Sequence, residues 1–323
     1  MLKRAGEEAC RAAAARGAAP VPHMALLLAG GDGTRLRDLT REVAGRPIPK
    51  QYCRLLRGSS LLEATLARAR RFSTRADIRV VINHDHLELA REQLRDLPED
   101  SIFIQPHNLD TGPGLLFSLL QIERSTPDAV VAAFPTDHYV EDDGAFIRYV
   151  RRAAAAIARM PDRIAVLGAA PDRPETGYGY ILPAGAAGMG EGIFNVEAFT
   201  EKPDLPAAGA IIARGGVWNT FVMVFRLSRM MELLARFAPE GFGPMLALRD
   251  APEKAADIYA SLRAWNFSTH FLARIPRHLL VVEVTGVGWS DWGTRESIER
   301  TYRTLKLVPF WNRSRAVSRQ AAG

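Results

Sequence analysis

The side chains best placed to do chemistry begin where an apolar run breaks into glycines. Leu26-Leu27-Leu28-Ala29-Gly30-Gly31-Asp32-Gly33-Thr34-Arg35-Leu36 is followed a little later by Pro49-Lys50-Gln51. A short apolar run ending in glycines reads as a buried strand entering a tight turn. Gly30, Gly31 and Gly33 let backbone N–H groups approach an anion closely, and the donor fork of Arg35 pairs with phosphate. The stretch from Leu28 through Ala29 and Thr34 to Arg35 is therefore read as a cradle for a nucleoside triphosphate. No Gly-Lys-Ser/Thr follows, which excludes a Walker loop. The glycine spacing and the bulky Arg35-Leu36-Arg37 fit a dinucleotide fingerprint badly. The plainer alternative is a glycine turn with a surface arginine.

Alternating segments must position this loop. Strands are expected over 23–28, 51–56, 78–82, 102–105, 129–134 and 164–168, with an ordered loop over 37–49. Helices are expected over 61–71, 86–97, 114–123 and 144–160. This alternation implies a parallel sheet covered on both faces, with ligands at the carboxyl ends of its strands. The glycine loop, Gln105 and Asp137 all fall just past such strand ends. The second half is less regular. Strands are expected over 178–182, 192–201, 218–226 and 279–284, with helices over 205–214, 227–237, 252–262 and 294–305. No repeat, heptad or low-complexity linker separates the halves, so they read as subdomains of one unit.

Composition limits the alternatives. The chain has 323 residues, 47% of them hydrophobic and 24% charged, enough for a large core. Its two cysteines, Cys10 and Cys53, cannot build a disulfide framework, which fits a reducing compartment, and a cytoplasmic location is expected. No apolar run approaches the roughly 18 residues of a membrane span, so no membrane partner is expected. The net charge of +6 invites nucleic acid, but no basic cluster interleaves with aromatics, and attraction of anionic substrates accounts for the surplus equally well. Lysines are few: Lys3, Lys50, Lys202, Lys254 and Lys306. A flexible ammonium differs from a guanidinium when it meets a moving phosphate.

The motif over 28–36 with Pro49-Lys50-Gln51 resembles the signature of sugar-1-phosphate nucleotidyltransferases, and its Lys-Gln form is most similar to mannose-1-phosphate guanylyltransferases. Further pieces follow in that family's order. They are Pro135-Thr136-Asp137-His138, Pro174-Glu175-Thr176-Gly177-Tyr178-Gly179-Tyr180-Ile181, Phe199-Thr200-Glu201-Lys202-Pro203-Asp204, Trp218-Asn219-Thr220 and Gly288-Trp289-Ser290-Asp291-Trp292-Gly293. The match covers about residues 24–300. The resemblance implies a three-layer Rossmann-like nucleotidyltransferase fold, with a mostly parallel mixed sheet and a smaller sugar-binding subdomain. The expected organisation is an N-terminal extension over 1–22, flexible or helical, a catalytic domain over 23–305 and a basic tail over 306–323.

The implied reaction is attack of a sugar-1-phosphate oxygen on the α-phosphorus of a nucleoside triphosphate, with pyrophosphate leaving in line. Such chemistry rests on positioning and charge neutralisation. By the same resemblance, Asp137 and Asp291 would hold Mg²⁺, which needs only one or two carboxylates beside substrate phosphates. Either aspartate alone could instead cap a helix. His138 is given a structural or supporting role, since imidazole suits Mg²⁺ poorly. Arg35 would grip the β- and γ-phosphates, Lys50 the α-phosphate or the sugar phosphate, and Lys202 the sugar phosphate. Glu201 and Asn219 would bond sugar hydroxyls, and Gly177, Tyr178 and Gly179 would form a loop close to the sugar. Strand alternation points Glu201 and Lys202 to opposite faces unless the strand bends. Trp218 and Tyr180 are read as core aromatics. Gln105, with Gly112 and Gly114, resembles the base-reading edge.

Two stretches depart from the guanylyltransferase pattern. Leu109-Asp110-Thr111-Gly112-Pro113-Gly114 stands where that family has Arg-Asn-Thr-Ala-Pro-Ala, and Ser268-Thr269-His270-Phe271 lacks its aspartate-tyrosine. No isomerase domain or hexapeptide-repeat tail is seen, so isomerase activity is not expected. The first expectation is a nucleotidyltransferase making GDP-mannose or a related GDP-hexose. Its rivals are a thymidylyl- or uridylyltransferase acting on glucose-1-phosphate, and a regulatory protein that binds nucleotide sugars without turnover. The expected partners are the two substrates alone, with a homodimer left open.

Overall fold

A computed structural model describes residues 21–56 and 58–312. Most of the expected extension over 1–22, the tail beyond 312 and Cys10 lie outside the described residues. The strands are β1 (His23–Leu28), β2 (Ile78–Asn83), β3 (Ile102–Gln105), β4 (Val130–Pro135), β5 (Ile164–Ala169), β6 (Gly179–Ala186), β7 (Ile193–Glu201), β8 (Val217–Arg226) and β9 (Leu279–Val284). They form one sheet in the order β3-β2-β1-β4-β8-β5-β9-β7-β6. The first four are mutually parallel. β8 runs antiparallel between β4 and β5, and β9 is parallel to β5. β7 pairs antiparallel with β9 and β6. β6 also meets the first residues of β8, through Tyr180 opposite Trp218. The second half of the sheet thus curls back on itself and is more mixed than the first half.

The helices are α1 (Arg37–Ala44), α2 (Leu61–Ala69), α3 (Leu87–Leu94), α4 (Thr111–Ser125), α5 (Asp143–Arg159), α6 (Leu205–Ala213), α7 (Leu227–Phe237), α8 (Pro239–Met245), α9 (Ala255–Ser261), α10 (Phe267–His270) and α11 (Arg295–Thr304). Strand alternation divides the core into two layers. On β1, Met24 and Leu26 join a cluster with α4 and α7, whereas Ala25 and Leu27 join one with α2, α3 and α5. Both faces of the central strands are therefore buried, as the near-continuous apolar runs require. None of the described helices is long and apolar enough to cross a membrane.

Several local expectations need correction. The stretch after the glycine loop contains α1, ended by Gly45 at φ 73°. Of its apolar residues, Leu39 and Val43 pack toward a small cluster with Trp292, so the apolar signal is thin. The strand expected over 51–56 is instead a 3₁₀ turn, Lys50–Tyr52. Its side chains bind back to the glycine loop: Gln51 Nε2 donates to the Gly31 carbonyl at 2.5 Å, and Tyr52 Oη donates to that of Ala29 at 3.0 Å. The helix expected from 114 begins at Thr111, because the Asp110 carboxylate caps it and Pro113 sits in its first turn, where no amide donor is needed. α8 carries no helical signal in the sequence, because Pro239, Gly241, Gly243 and Pro244 mask it. Past α11, Trp311 is buried against Tyr302, so the fold continues beyond residue 305.

Candidate active site

β1 leads to β2 on one side, and β4 lies beside β1 on the other. Strand order reverses between them, and in such sheets a crevice opens beyond the carboxyl ends at that point. A cavity of about 540 Å³ lies there. The end of β1 supplies Leu28, and the loop after it supplies Gly30, Gly31, Gly33 and Arg35. The loop after β4 supplies Asp137, and the segment after β9 supplies Asp291. The curled half of the sheet supplies Gly177, Tyr178, Gly179, Glu201, Lys202 and Asn219, while Gln105 and Gly114 complete the far wall. Residues spread over most of the chain thus meet on one edge.

Four residues expected at the site stand elsewhere. Ala29 is fully buried, with its carbonyl taken by Gln51 and Tyr52, so it supports the loop from beneath. Thr34 is exposed in a 3₁₀ turn and does not line the cavity. Gly112 packs under Trp265, whose ring atoms would lie 2.3 Å from a Cβ there, so this glycine serves helix packing and lies off the cavity wall. Lys50 lies just beneath the wall and is 5% exposed.

Lys50 occupies a central position. Its Nζ donates to the Asp291 carbonyl at 2.6 Å and to the Trp292 carbonyl at 3.1 Å, and lies 3.3 Å from Asp137 Oδ2. An ammonium has three donors, and all three are matched here. The glycine loop is fitted to the same residue: a Cβ on Gly33, whose φ is 57°, would lie 2.9 Å from the Lys50 backbone nitrogen.

The two aspartates are held differently. Burial pushes the Asp137 carboxyl up, but the Lys50 ammonium, His138 and hydrogen bonds outweigh it, and the group sits below the usual carboxylate range. Asp291 Oδ1 accepts from Tyr178 Oη at 2.6 Å and from the Gly293 amide at 2.8 Å. Burial, reinforced by the Asp291 carboxylate, pushes the Tyr178 phenol up, so it remains a donor. Burial lowers His138, whose ring meets Trp289 edge-on at 5.3 Å. Among the described residues no cluster of three metal-binding side chains occurs. Two hard carboxylates facing an open cavity still fit a small divalent cation that takes its other ligands from water and substrate phosphate.

Elsewhere on the cavity lining, β7 ends at Glu201 and Lys202 turns to φ 48°. That left-handed residue breaks strand alternation, so both side chains line the cavity, with Lys202 Nζ 3.6 Å from Glu201 Oε1. Burial raises the Glu201 carboxyl, only partly offset by Lys202 and Ser268. Gly179 makes room for it: a Cβ there would lie 2.6 Å from Glu201 Oε2.

At the far end, Gln105 is 2% exposed and its amide is occupied. Nε2 donates to Asn83 Oδ1, and Oε1 accepts from Tyr259 Oη at 3.2 Å. Asn83 Nδ2 in turn donates to the Gly30 carbonyl at 2.8 Å and to Asp32 Oδ1 at 2.9 Å, while Asn108 Nδ2 holds Asp32 Oδ2 at 3.0 Å. Sequence reasoning missed this network. Asn83 closes a parallel strand, so the strand-end rule that singled out Gln105 would have found it too. Asp110 and Ser268, from the two stretches that depart from the family pattern, also line the cavity, as does Asn266, which carried no motif signal.

Comparison with known proteins agrees with this geometry. The family model described as nucleotidyl transferase matches residues 24–306. The xanthan biosynthesis protein XanB of Xanthomonas campestris pv. campestris is 38% identical over 233 residues, covering 71% of this chain and 46% of XanB. The Escherichia coli K12 mannose-1-phosphate guanylyltransferase is 31% identical over 297 residues, covering 84% of this chain and 58% of that protein. The chain thus spans about half the length of the curated relatives it matches. A crystal structure from Thermus thermophilus, titled mannose-1-phosphate geranyltransferase, superposes with a TM-score of 0.77 at 29% identity, covering 87% of this chain and 79% of that one. With a glycine-arginine loop, two aspartates and a Glu-Lys pair around one cavity, and a family model matched over nearly its whole described length, the chain belongs to the nucleotidyl transferase family.

Proposed function

We propose that this protein transfers guanylyl from GTP to mannose-1-phosphate, giving GDP-mannose and pyrophosphate. The observation that carries the reading is the gathering of Arg35, Asp137, Asp291, Glu201 and Lys202 around one cavity. The arginine and the aspartates suit a metal-bound triphosphate, and the Glu-Lys pair suits a phosphorylated sugar. The guanosine and mannose assignments draw on the names of the relatives.

The triphosphate lies along the backbone amides of Gly30, Gly31 and Gly33, with Arg35 on its β- and γ-phosphates. Mg²⁺ between Asp137 and Asp291 would neutralise phosphate charge. Lys50 holds those two aspartate-bearing loops at a fixed spacing and adds positive charge beneath the α-phosphate. Lys202 binds the phosphate of the sugar phosphate, and Glu201 and Asn219 accept and donate hydrogen bonds at its hydroxyls. The part of the sheet formed by β6, β7 and the start of β8, with α6, acts as the smaller sugar-binding subdomain. A phosphate oxygen of the sugar phosphate bonds to the α-phosphorus as the bond to the β-phosphate oxygen breaks, and that oxygen keeps the electron pair in pyrophosphate. Placement and charge neutralisation account for the rate, with no protein nucleophile.

The test is pyrophosphate release from each of GTP, dTTP, UTP, ATP and CTP, with mannose-1-phosphate or glucose-1-phosphate and Mg²⁺. GTP with mannose-1-phosphate should lead by at least about tenfold. Release confined to dTTP or UTP would replace the guanylyl assignment, and no release with any pair would leave a nucleotide-sugar-binding protein.

A further inference from the structure

Five non-glycine residues among those described have a left-handed backbone: Asp110, Lys202, Phe221, Trp292 and Lys306. Three of them, Asp110, Lys202 and Phe221, line the active-site cavity. Phe221 is the one ring among the three. At its φ of 59° the Cβ of a bulky residue crowds the backbone, a cost that glycine escapes. Strain of this kind gathers at functional sites, where the surrounding contacts impose it.

Here a bulge in β8 imposes it. Val166 pairs with Met223 and Gly168 with Asn219, so Thr220, Phe221 and Val222 stand against Leu167 alone. Thr220 Oγ1 donates to the Leu167 carbonyl at 2.8 Å and accepts from the Val222 amide at 3.3 Å. The Phe221 amide donates to Asn219 Oδ1 at 2.9 Å, which leaves Asn219 Nδ2 as the donor for a ligand. Bulges beside active sites re-aim side chains, and this one brings Phe221 to the cavity lining. Its ring meets that of Phe267 at 6.0 Å, yet Phe221 stays only partly buried.

The neighbours of Phe221 are the groups assigned above to the sugar. A Cβ on Gly179 would lie 3.4 Å from Asn219 Cβ and 2.6 Å from Glu201 Oε2, so that amide and that carboxylate lie side by side. Ser268, next in the chain to Phe267, hydrogen-bonds Glu201. A pyranose presents hydroxyls around its rim and a patch of C–H groups on a face. The amide and the carboxylate serve the hydroxyls, and a partly open aromatic ring buries the C–H patch. We propose that Phe221 is a specificity-determining residue of this cavity, its ring forming the platform for the C–H face of the hexose in the sugar phosphate and the nucleotide sugar. The proposal rests on the nucleotidyl-transfer reading above and adds the contact that favours a hexose over a phosphate with no ring.

The test is calorimetric binding, with Mg²⁺, of GDP-mannose and GDP and of UDP-glucose and UDP. The ratio of dissociation constants within a pair isolates the hexose and needs no turnover. In the pair that binds more tightly, Phe221→Leu should lose about fivefold or more of the hexose advantage and leave the plain diphosphate within about twofold of wild type. That unchanged diphosphate affinity also reports a folded cavity. Phe221→Tyr keeps the ring and should keep the advantage. Phe221→Gly removes the ring together with the strain and should show the same loss as Phe221→Leu. A hexose advantage undiminished in both Phe221→Leu and Phe221→Gly would leave the ring as a packing partner of Phe267 and overturn the proposal. An equal loss for diphosphate and nucleotide sugar, or no hexose advantage in the wild type, would overturn it as well. Tighter binding of the uridine pair would replace the guanylyl assignment while still yielding the hexose ratio, so the two failures read differently.

Discussion

The Lys50 ammonium donates to the Asp291 backbone carbonyl at 2.6 Å while lying 3.3 Å from the Asp137 carboxylate, so one buried cation joins the loops that follow β9 and β4. Those loops come from distant parts of the sequence, and a backbone bridge between Tyr139 and Ser290 pairs them next to the two aspartates. Lys50→Met removes the side-chain tie and leaves two carbonyls and a carboxylate without their donor. Because the Asp137 side chain is 41% exposed, the stability loss should be about 1–3 kcal/mol, and losing preorganised charge beside the reacting phosphate should cost about 10²–10³ in rate. Steady-state kinetics and thermal unfolding should show both losses together. Lys50→Arg should fail to restore the rate, because a planar fork cannot meet three acceptors arranged around a point charge. A wild-type rate in Lys50→Met would remove Lys50 from this role.

Gly33 sets how the glycine loop meets Lys50. Its φ of 57° is left-handed, and a Cβ would press on the Lys50 nitrogen at 2.9 Å and on Pro49 Cα at 3.1 Å. Gly33→Ala should cost about 1–2 kcal/mol in backbone strain alone. It should also lower kcat more than it raises KM for the sugar phosphate, since the sugar wall is untouched. Gly31→Ala, with nothing within 4 Å of its added Cβ, is the matched control and should remain close to wild-type stability.

Tyr178 lines the cavity, and its hydroxyl donates to Asp291 at 2.6 Å. Tyr178→Phe keeps the ring and frees Asp291 Oδ1 of one of its two described donors. The expected result is a roughly tenfold fall in kcat, about the worth of a hydrogen bond to a charged group, and a higher Mg²⁺ requirement. An unchanged Mg²⁺ dependence would confine Tyr178 to the sugar side.

Glu201 carries a stability cost that depends on pH. Burial raises its carboxyl in the folded protein above the unfolded value of about 4.3. Below both values the group is protonated in either state and contributes nothing. As pH rises between them, the unfolded chain releases a proton that the folded one keeps, so stability falls and stays lower above the folded value. Glu201→Gln removes the titration. The variant's melting temperature should therefore rise relative to wild type between about pH 4 and pH 7, while its sugar-phosphate KM increases. A constant difference across that range would contradict the buried, charged state assigned to Glu201.

Much of this arrangement is legible in the sequence because parallel α/β sheets present ligands at strand ends. That rule alone places the glycine loop, Gln105 and Asp137, and the strands carrying them follow from apolar runs buried on both faces. Other features are not legible, because they depend on contacts distant in sequence. Gly112 reads as a base-side glycine, yet Trp265 is what requires it. Lys50 reads as free to reach a phosphate, yet it is bound to carbonyls from Asp291 and Trp292. The left-handed turn at Lys202 explains how neighbouring residues of a strand can share a wall, and periodicity cannot foresee such a turn. α1 and α8 escape notice because one has few apolar residues and the other has prolines and glycines inside it.

The proposed reaction is direct transfer of the nucleotidyl group to the sugar phosphate within one cavity. It is tested most directly by incubating the protein with GTP, Mg²⁺ and mannose-1-phosphate carrying oxygen-18 in its phosphate, and weighing both products. Direct attack on the α-phosphorus predicts GDP-mannose that retains all of the label and pyrophosphate that carries none. Label in the pyrophosphate, or GTP consumption without labelled GDP-mannose, would contradict the account.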